Sequence, residues 1–179
     1  MTLISVEGLT ANKAYAQKAA TSATTLQTDL QATKFKDIPT DHWAKEYIEW
    51  GVTTGLIRGI QKEGELYFNP KAAITEAEFA AVLSRYVDNI DKSKLVEDDG
   101  IKWSDTYYSA LEPYKLPLKG YSNYELRQTG LTRARMAQLI SAKNGFNLTE
   151  RQAVYYMYEN DLSNGIIEGQ LTFESFRKS

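Results

Sequence analysis

The sequence predicts an all-α fold built from tandem helix-loop-helix repeats, and three observations support this prediction. Apolar residues recur at helical spacing, glycines follow those segments at turn positions, and one order of features recurs along the chain. That order is a helix with aromatic residues, a Gly-rich turn, an aromatic loop and a helix that begins at a threonine. It predicts repeats at 35–90, 91–146 (with 91–100 as a linker) and, cut short, 147–179.

Composition is that of an ordinary globular protein and excludes several kinds of site. The chain has 179 residues, 42% of them hydrophobic, and a formal net charge of -2, which leaves no basic surplus for nucleic acid. No apolar run reaches the roughly 20 residues that span a bilayer. Because the chain has no cysteine and His42 is its single histidine, disulfides, thiolate metal sites and most histidine-based catalysis are excluded. We therefore expect no catalytic residue, no metal and no cofactor.

Residues 1–34 precede the repeats and are predicted to form a helix or a linker. Loose helical spacing favours a helix that packs on the repeats over a surface spacer, and its apolar residues are Ala16, Ala20, Ala23, Leu26 and Leu30. Residues 14–16 have the small-x-small pattern of a signal-peptidase site, but polar residues interrupt the stretch before them. A signal-peptide remnant therefore stays an open alternative.

The first helix of the first repeat lies in FKDIPTDHWAKEYIEWGVTTGLIRG, which starts at Phe35. We assign one stripe of this helix to the core: Trp43, Ala44, Tyr47 and Ile48. The glycines expected to end it are Gly51, Gly55 and Gly59. His42 precedes the helix, where we expect it to be exposed or to act as a cap.

The second helix of the first repeat is predicted to start at Thr75, in ITEAEFAAVLSRY. Thr75 and Glu78 have the spacing of a capping box, in which each side chain accepts a hydrogen bond from the other residue's backbone. The apolar stripe behind this start has the spacing i, i+3, i+4, i+7: Phe79, Val82, Leu83, Tyr86 and Val87.

The second repeat begins at Trp103 with WSD and is degraded relative to the first. Its opening helix, TYYSALE, is predicted to be short because Pro113 and Pro117 follow it. Its closing helix, LTRARMAQLISAK, is predicted to begin at Thr132 and to carry Met136, Leu139 and Ile140 on one face.

The third repeat, TERQAVYYMYENDLSNGIIEG, aligns with the first without a gap from Ala153 to Gly169. This alignment places Gly165 over Gly55 and, further on, Phe173 over Phe68. We therefore predict two and a half repeats, with the sequence ending before the third threonine-started helix.

These motifs resemble the S-layer homology repeat, a module that anchors exported proteins to the bacterial cell wall. FxD, WA, GLIRG, FNP and ITxAEFA stand at the family's usual separations across residues 35–86, and WSD, LKG and LTRA follow in the second repeat. The resemblance implies a pseudo-threefold arrangement of repeats around a small central helix bundle. It also implies an extracellular location at the cell wall or cell surface and no catalysis. The implied partner is a secondary cell-wall polysaccharide whose pyruvyl ketal is held by the Arg of an ITRAE segment.

The residues at Thr132 favour an anion independently of the family. A helix N-terminus exposes unpaired N–H groups and the positive end of the helix dipole, and a guanidinium holds a carboxylate through two parallel hydrogen bonds. Thr132 would cap this helix while Arg133 and Arg135 add positive charge, where helix stability alone would favour acidic residues. The alternative interpretation makes Arg133 an ordinary solvated arginine.

Aromatic residues outside the predicted core are candidate sugar contacts, because their rings stack on sugar faces. We assign Trp50, as a residue off the Trp43 stripe, and Tyr121 with Tyr124, in the loop before the LTRAR helix, to carbohydrate binding.

The first repeat departs from the family pattern, since Glu76 stands where the motif has Arg. We predict that Glu76 has a structural role and that the equivalent groove has lost anion binding or recognises something else. This departure supports an alternative function, in which the scaffold no longer binds glycan and serves as a structural or protein-interaction domain.

Overall fold

The computed structural model describes residues 35–95, 102–165 and 170–177. The chain divides into two compact units, Met1–Ala72 and Ala73–Ser179. The helix predicted within residues 1–34 and the signal-peptidase pattern lie outside the described residues. Helices dominate the described part, in agreement with the predicted all-α class, and within that part no helix is both long and apolar enough to cross a bilayer.

The first unit contains helix α1 (Lys45–Thr53) and a hairpin of strands β1 (Ile60–Lys62) and β2 (Glu65–Tyr67). The strands pair antiparallel with Ile60 opposite Tyr67. Sequence analysis did not predict the hairpin. Its turn residues, Glu63 and Gly64, have φ of 53° and 80°, which is the left-handed pair that matches the twist of two short strands.

The core of the first unit is small and is organised around Phe35. The Phe35 and Phe68 rings meet edge to face with centroids 5.6 Å apart, and Ile48 and Gly51 are buried on α1. The Asp37 carboxylate accepts hydrogen bonds from the N–H groups of Phe68 and Asn69 at 2.9 and 2.6 Å. The FKD segment therefore holds the FNP loop that follows the hairpin.

Part of the predicted core stripe of α1 is exposed. Trp43 is 83% exposed and Tyr47 72% exposed, whereas Ile48 is buried as predicted. Gly51 is also buried, and Trp43 lies before the helix, which starts at Lys45. Gly51 also does not end the helix, which runs to Thr53; Gly55, with φ of 76°, follows that end in the left-handed conformation.

The second unit contains six α-helices among its described residues. They are α2 (Glu76–Tyr86), α3 (Asp105–Leu111), α4 (Tyr124–Arg127), α5 (Arg133–Lys143), α6 (Glu150–Glu159) and α7 (Phe173–Arg177). Three 3₁₀ turns lie between them, at Lys92–Leu95, Glu112–Tyr114 and Lys119–Tyr121. As predicted, α3 is short, and the 3₁₀ turn that contains Pro113 follows it directly.

Two hydrophobic clusters form the core of the second unit. The first contains Leu83, Leu111 and Leu139, from α2, α3 and α5, each almost completely buried. The second joins α5, α6 and α7, and the small buried residues Ala134 and Ala153 within it are compatible with a close approach of helix backbones. The predicted stripes of α2 and α5 supply much of the first cluster.

The threonine starts of α2 and α5 form as predicted. Thr75 and Glu78 make both hydrogen bonds of the capping box, and the Thr132 hydroxyl accepts from the Arg135 N–H at 3.1 Å. Thr149 and Gln152 make another capping box at the start of α6, which the sequence analysis did not identify.

A further helix begins behind a threonine, Thr172, although we predicted that the sequence ends before another threonine-started helix. The Thr172 hydroxyl accepts from the Ser175 N–H at 3.2 Å, and α7 begins at Phe173. Phe173, predicted as the counterpart of Phe68 in a loop, is thus the first residue of a helix. The physical reason is length, because the segment after Gly169 is too short to form a hairpin before Thr172.

Candidate functional site

The segments that lead into α2 and α5 lie side by side in the second unit. Thr75 and Gly130 form an antiparallel bridge, and the Leu131 N–H donates to the Ile74 carbonyl at 2.8 Å. The Glu76 N–H donates to the Thr129 carbonyl at 3.1 Å. These hydrogen bonds fix the two threonine-started helix starts next to each other.

The start of α5 keeps the positive charge that the sequence predicted. Arg133 is the first helical residue behind the Thr132 cap, and the first turn of α5 contains no acidic residue. The Arg133 side chain is half-buried, with its guanidinium carbon 4.9 Å from the centroid of the Phe176 ring. This cation-π contact orients the guanidinium at a helix N-terminus.

Arg135, the second arginine assigned to the site, turns into the protein. Its side chain is 10% exposed and donates to the Pro117 carbonyl and to the Gln138 side chain. Its Nη2 lies 3.9 Å from Oε2 of Glu76, and its buried Nε has no hydrogen-bond partner among the described residues. Little of Arg135 is therefore accessible to a ligand from outside.

Tyr121 is the last residue of the 3₁₀ turn Lys119–Tyr121, and Tyr124, which we predicted in a loop, is the first residue of α4. Tyr121 is 39% exposed and Tyr124 37% exposed. The Tyr121 ring meets the Tyr108 ring edge to face at 5.3 Å, and the Lys102 ammonium lies 3.5 Å from the Tyr124 centroid. Burial, with the nearby carboxylates of Glu112 and Glu76, raises the pKa of Tyr121 to about 12, so this phenol stays neutral.

Arg127 holds this turn and was missed by the sequence analysis. Its Nε donates to the Gly120 carbonyl at 2.8 Å, and its Nη1 pairs with Asp105 and donates to Ser104. Its guanidinium carbon lies 4.1 Å from the Tyr108 centroid and 5.3 Å from that of Tyr124. No local pattern could have paired Arg127 with the WSD motif, because they lie far apart in sequence and meet only in the folded chain.

Glu76 lies at the first position of α2, equivalent to Arg133 of α5, and is 2% exposed. Its carboxylate accepts hydrogen bonds from the Tyr108 hydroxyl at 2.9 Å and from the N–H groups of Lys119 and Gly120 at 3.1 and 2.6 Å. Burial and the Glu76 carboxylate raise the pKa of Tyr108 well above its usual range. The carboxylate therefore turns toward the 119–120 turn and binds it.

The first unit presents an exposed aromatic face at α1, formed by Trp43, which precedes the helix, and by Tyr47 and Trp50 on the helix. Trp50 is 57% exposed and lies three residues after Tyr47, on the same side of α1. The His42 ring stacks on Trp43 at 5.9 Å, and its Nδ1 accepts from the N–H of Ala44, the residue that precedes α1, so His42 does not cap a helical N–H group. Trp50 thus belongs to a different compact unit from Arg133, Tyr121 and Tyr124.

Within the described part of the chain, no cluster of His, Asp or Glu side chains is arranged to hold a metal ion. The ionisable side chains of the candidate site contact one another or aromatic rings, as Arg127, Arg133 and Arg135 do. The arrangement offers cations, backbone N–H groups and ring faces, which are groups that bind anions and sugars.

Comparison with known proteins finds a family similarity in the first part of the described chain. The family model of the S-layer homology domain matches residues 34–80. Residues 34–80 are therefore similar to an S-layer homology domain. The surface-layer 125 kDa protein of Lysinibacillus sphaericus is 37% identical over 87 residues, which cover 41% of this chain and 7% of that protein. No solved structure matches the chain.

The S-layer homology domain and the surface-layer relative indicate a location at the cell surface or cell wall, as the sequence predicted. The matched segment contains α1, the hairpin and the first residues of α2. The chain covers only 7% of the length of this relative. The similarity therefore concerns the shared segment and not the rest of the relative.

Proposed function

We propose that this chain anchors an exported protein noncovalently to the bacterial cell wall by binding a pyruvylated secondary cell-wall polysaccharide at the start of α5. The observation that carries the proposal is the Thr132-capped helix start with Arg133 and without an acidic residue in its first turn. The S-layer homology domain at residues 34–80 supports the anchoring role.

The chemistry at this start suits a ketal carboxylate. The first N–H groups of a helix have no partner within the helix, and the helix dipole makes them a favourable environment for negative charge. Arg133 adds a planar guanidinium that can hold both carboxylate oxygens. Because its contact with Phe176 already restricts the side chain, binding loses less rotamer freedom.

Sedimentation with purified wall sacculi, with and without the pyruvylated polymer, tests the proposal together with Arg133→Ala. We expect binding that requires the polymer and weakens by about 1 to 3 kcal/mol in Arg133→Ala, which is the range for losing a charge-assisted hydrogen-bonded pair. Arg133→Lys should recover only part of the loss, because an ammonium cannot make the paired contact.

Arg151 provides a matched control for Arg133. Its guanidinium carbon also lies over a phenylalanine of α7, 5.1 Å from the Phe173 centroid, but it follows the acidic Glu150 in the first turn of α6. Arg151→Ala should leave sedimentation unchanged. Full retention of binding by Arg133→Ala would remove Arg133 from the site.

The exposed aromatic face of α1 and the pair of Tyr121 and Tyr124 are the proposed sugar contacts. Aromatic rings stack on the apolar faces of sugars, and truncating a ring in such a contact costs about 1 kcal/mol or more. We expect Trp50→Ala to weaken sedimentation with polymer-bearing walls by about threefold to tenfold. A Trp50→Ala variant that binds like the wild type would exclude this face.

The charges at the other helix starts favour a second function. Glu76 occupies the first position of α2, and Phe173 that of α7, so Arg133 is the one arginine among these three positions. In this function the scaffold has lost glycan binding and serves as a structural or protein-interaction domain. Sedimentation with neither kind of wall would favour it, whereas polymer-dependent sedimentation would count against it.

A further inference from the structure

We propose that the 119–120 turn, the Tyr108 hydroxyl and Arg135 form a cradle for a small carboxylate, and that this chain fills the cradle with its own Glu76 side chain. The helix start of α2 is thereby closed to external carboxylates, and removal of the Glu76 carboxylate opens a binding site for acetate. This inference goes beyond the proposed function, and its test does not involve cell walls.

The donors of the cradle converge on one carboxylate. The Gly120 and Lys119 N–H groups donate to Oε1 and Oε2 respectively, at 2.6 and 3.1 Å, and the Tyr108 hydroxyl donates to Oε1 at 2.9 Å. Two successive backbone N–H groups that point at one anion make a concave anion-binding site. Both oxygens of the Glu76 carboxylate are therefore engaged by groups outside its own helix.

Two arginines around the cradle supply positive charge but do not fully neutralise the Glu76 carboxylate. Arg135 Nη2 lies 3.9 Å from Oε2, beyond hydrogen-bond distance, and the buried Arg135 Nε has no hydrogen-bond partner in the described part of the chain. The Arg127 guanidinium lies over the Tyr108 ring and donates to the Gly120 carbonyl, which fixes the turn from its other side. Two arginines thus flank a turn whose N–H groups face a carboxylate.

The cradle is built by the fold and not by the helix that provides its occupant. Arg127 and Asp105 hold Gly120 in place, and a Cβ built on Gly120 would lie 2.4 Å from the Tyr108 hydroxyl oxygen and 2.4 Å from Arg127 Cγ. A glycine is therefore required for this close approach. Since none of these contacts involves Glu76, we expect the cradle to persist when Glu76 is shortened.

Acetate is the probe that matches the space left by the Glu76→Ala substitution. Glu76→Ala removes Cγ, Cδ and both carboxylate oxygens, which are the same heavy atoms as those of acetate. We expect Glu76→Ala to lower the thermal midpoint by about 5 to 15 °C, because three donors lose their acceptor in a buried site. About 100 mM sodium acetate should restore at least half of this loss relative to sodium chloride of equal ionic strength. The wild type should show no such difference.

Acetamide and Glu78→Ala provide the controls. Acetamide has the shape of acetate without the charge and should restore little of the thermal midpoint that Glu76→Ala loses. Glu78→Ala removes an exposed capping-box carboxylate from the same helix turn, and acetate should not restore its lost stability. An equal response of Glu76→Ala to acetate and to chloride, or an equal response of Glu78→Ala to acetate, would overturn the cradle.

Glu76→Gln decides the matter if Glu76→Ala does not fold in either buffer. The amide keeps the shape of the side chain but points an NH₂ group at one set of N–H donors, so we expect a large fall in the thermal midpoint that acetate cannot reverse. A Gln variant as stable as the wild type would contradict the proposal. Loss of wall binding in the sedimentation assay has no bearing on either result, so the two proposals fail independently.

Discussion

At the residue scale, the chain places opposite charges at equivalent helix positions, Glu76 behind Thr75 and Arg133 behind Thr132. Glu76 is satisfied by buried donors from another segment, whereas Arg133 lies half-buried against Phe176. A carboxylate at this position supports a helix start by itself, and a guanidinium weakens it unless an anion is bound. The contrast supports a structural role for the first start and is the basis of the ligand binding that we propose at the second.

Asp37 is expected to make the first unit sensitive to acid. Partial burial opposes ionisation of this carboxyl, but the N–H groups of Phe68 and Asn69 outweigh it and lower the pKa of Asp37. A group with a lower pKa in the folded state contributes stability that is present above its unfolded pKa, about 4, and is lost as the pH falls through its folded pKa.

We therefore expect the first unit to lose stability as the pH falls below about 4, and Asp37→Asn to lose less over the same fall. Urea unfolding followed by tryptophan fluorescence in a Trp103→Phe background reports on Trp43 and Trp50, which lie in the first unit. An acid dependence identical in Asp37→Asn and in its parent would assign the effect to other carboxyl groups.

Gly59 is a second residue at which the first unit is sensitive. Its φ is 71°, and an added Cβ would lie 2.4 Å from Cε1 of the rigid Phe35 ring. We expect Gly59→Ala to destabilise the first unit by about 2 to 4 kcal/mol, from backbone strain and displacement of Phe35 together.

Gly64 separates these two causes. It has φ of 80° at the hairpin turn, but an added Cβ would meet nothing within 4 Å. Gly64→Ala should therefore cost only about 1 kcal/mol, for the backbone conformation alone. Equal losses in urea unfolding for the two variants would show that the contact with Phe35 is unimportant.

At the element scale, threonine caps define four of the six described helix starts of the second unit, at Thr75, Thr132, Thr149 and Thr172. A cap satisfies N–H groups that the helix itself leaves unpaired. Three of these caps are reciprocated by an acceptor on the side chain three residues later, and α5 is the exception, since the Arg135 guanidinium has no acceptor to offer. The start of α5, which we propose for glycan binding, is thus the one of these four whose cap N–H is not paired by the side chain three residues later.

Thr132→Ala is expected to lower the free energy of unfolding by about 1 kcal/mol, because it removes the acceptor of the Arg135 N–H hydrogen bond. Thr132→Ser keeps the hydroxyl and should retain most of the stability. Urea unfolding followed by circular dichroism measures both. Equal losses in the two variants would show that the methyl group of Thr132, rather than its hydroxyl, stabilises α5.

At the scale of the whole molecule, the sequence repeats and the compact units have different boundaries. The S-layer homology segment ends at Ala80, within α2, whereas the compact units meet between Ala72 and Ala73. A repeat of this size buries little apolar surface alone, so its helices need neighbours from other repeats. The predicted first repeat, residues 35–90, therefore does not coincide with one compact unit.

Hydrogen exchange should show that the buried helices of the second unit open less often than the hairpin of the first unit. Leu83 in α2 and Leu139 in α5 are almost completely buried in one cluster, whereas every residue of β1 is exposed. We expect amide protons of α2 and α5 to exchange slowest and those of the hairpin to exchange at least about tenfold faster. Hairpin peptides protected as strongly as those of α2 would contradict this ranking.

The sequence by itself determined several helices of the second unit, α2, α3 and α5 among them, but not α4 or α7. Threonine caps and apolar periodicity are local properties, encoded within three to seven residues, so Thr75, Thr132 and the short α3 were predictable. The family motifs, which are also local, led to the S-layer homology domain that the comparison found at residues 34–80.

Only the tertiary structure decided which side of a helix is buried and where charged groups turn. Trp43, Tyr47 and Ile48 are all apolar or aromatic and follow one another at the spacing of one helical stripe, so the sequence could not distinguish the residues that are buried at α1 from those that are exposed. The donors that surround Glu76 come from 32 to 44 residues away, and Arg127 meets Asp105 across 22 residues. Such contacts depend on the path of the whole chain, whereas a cap or a stripe depends on a single turn of helix.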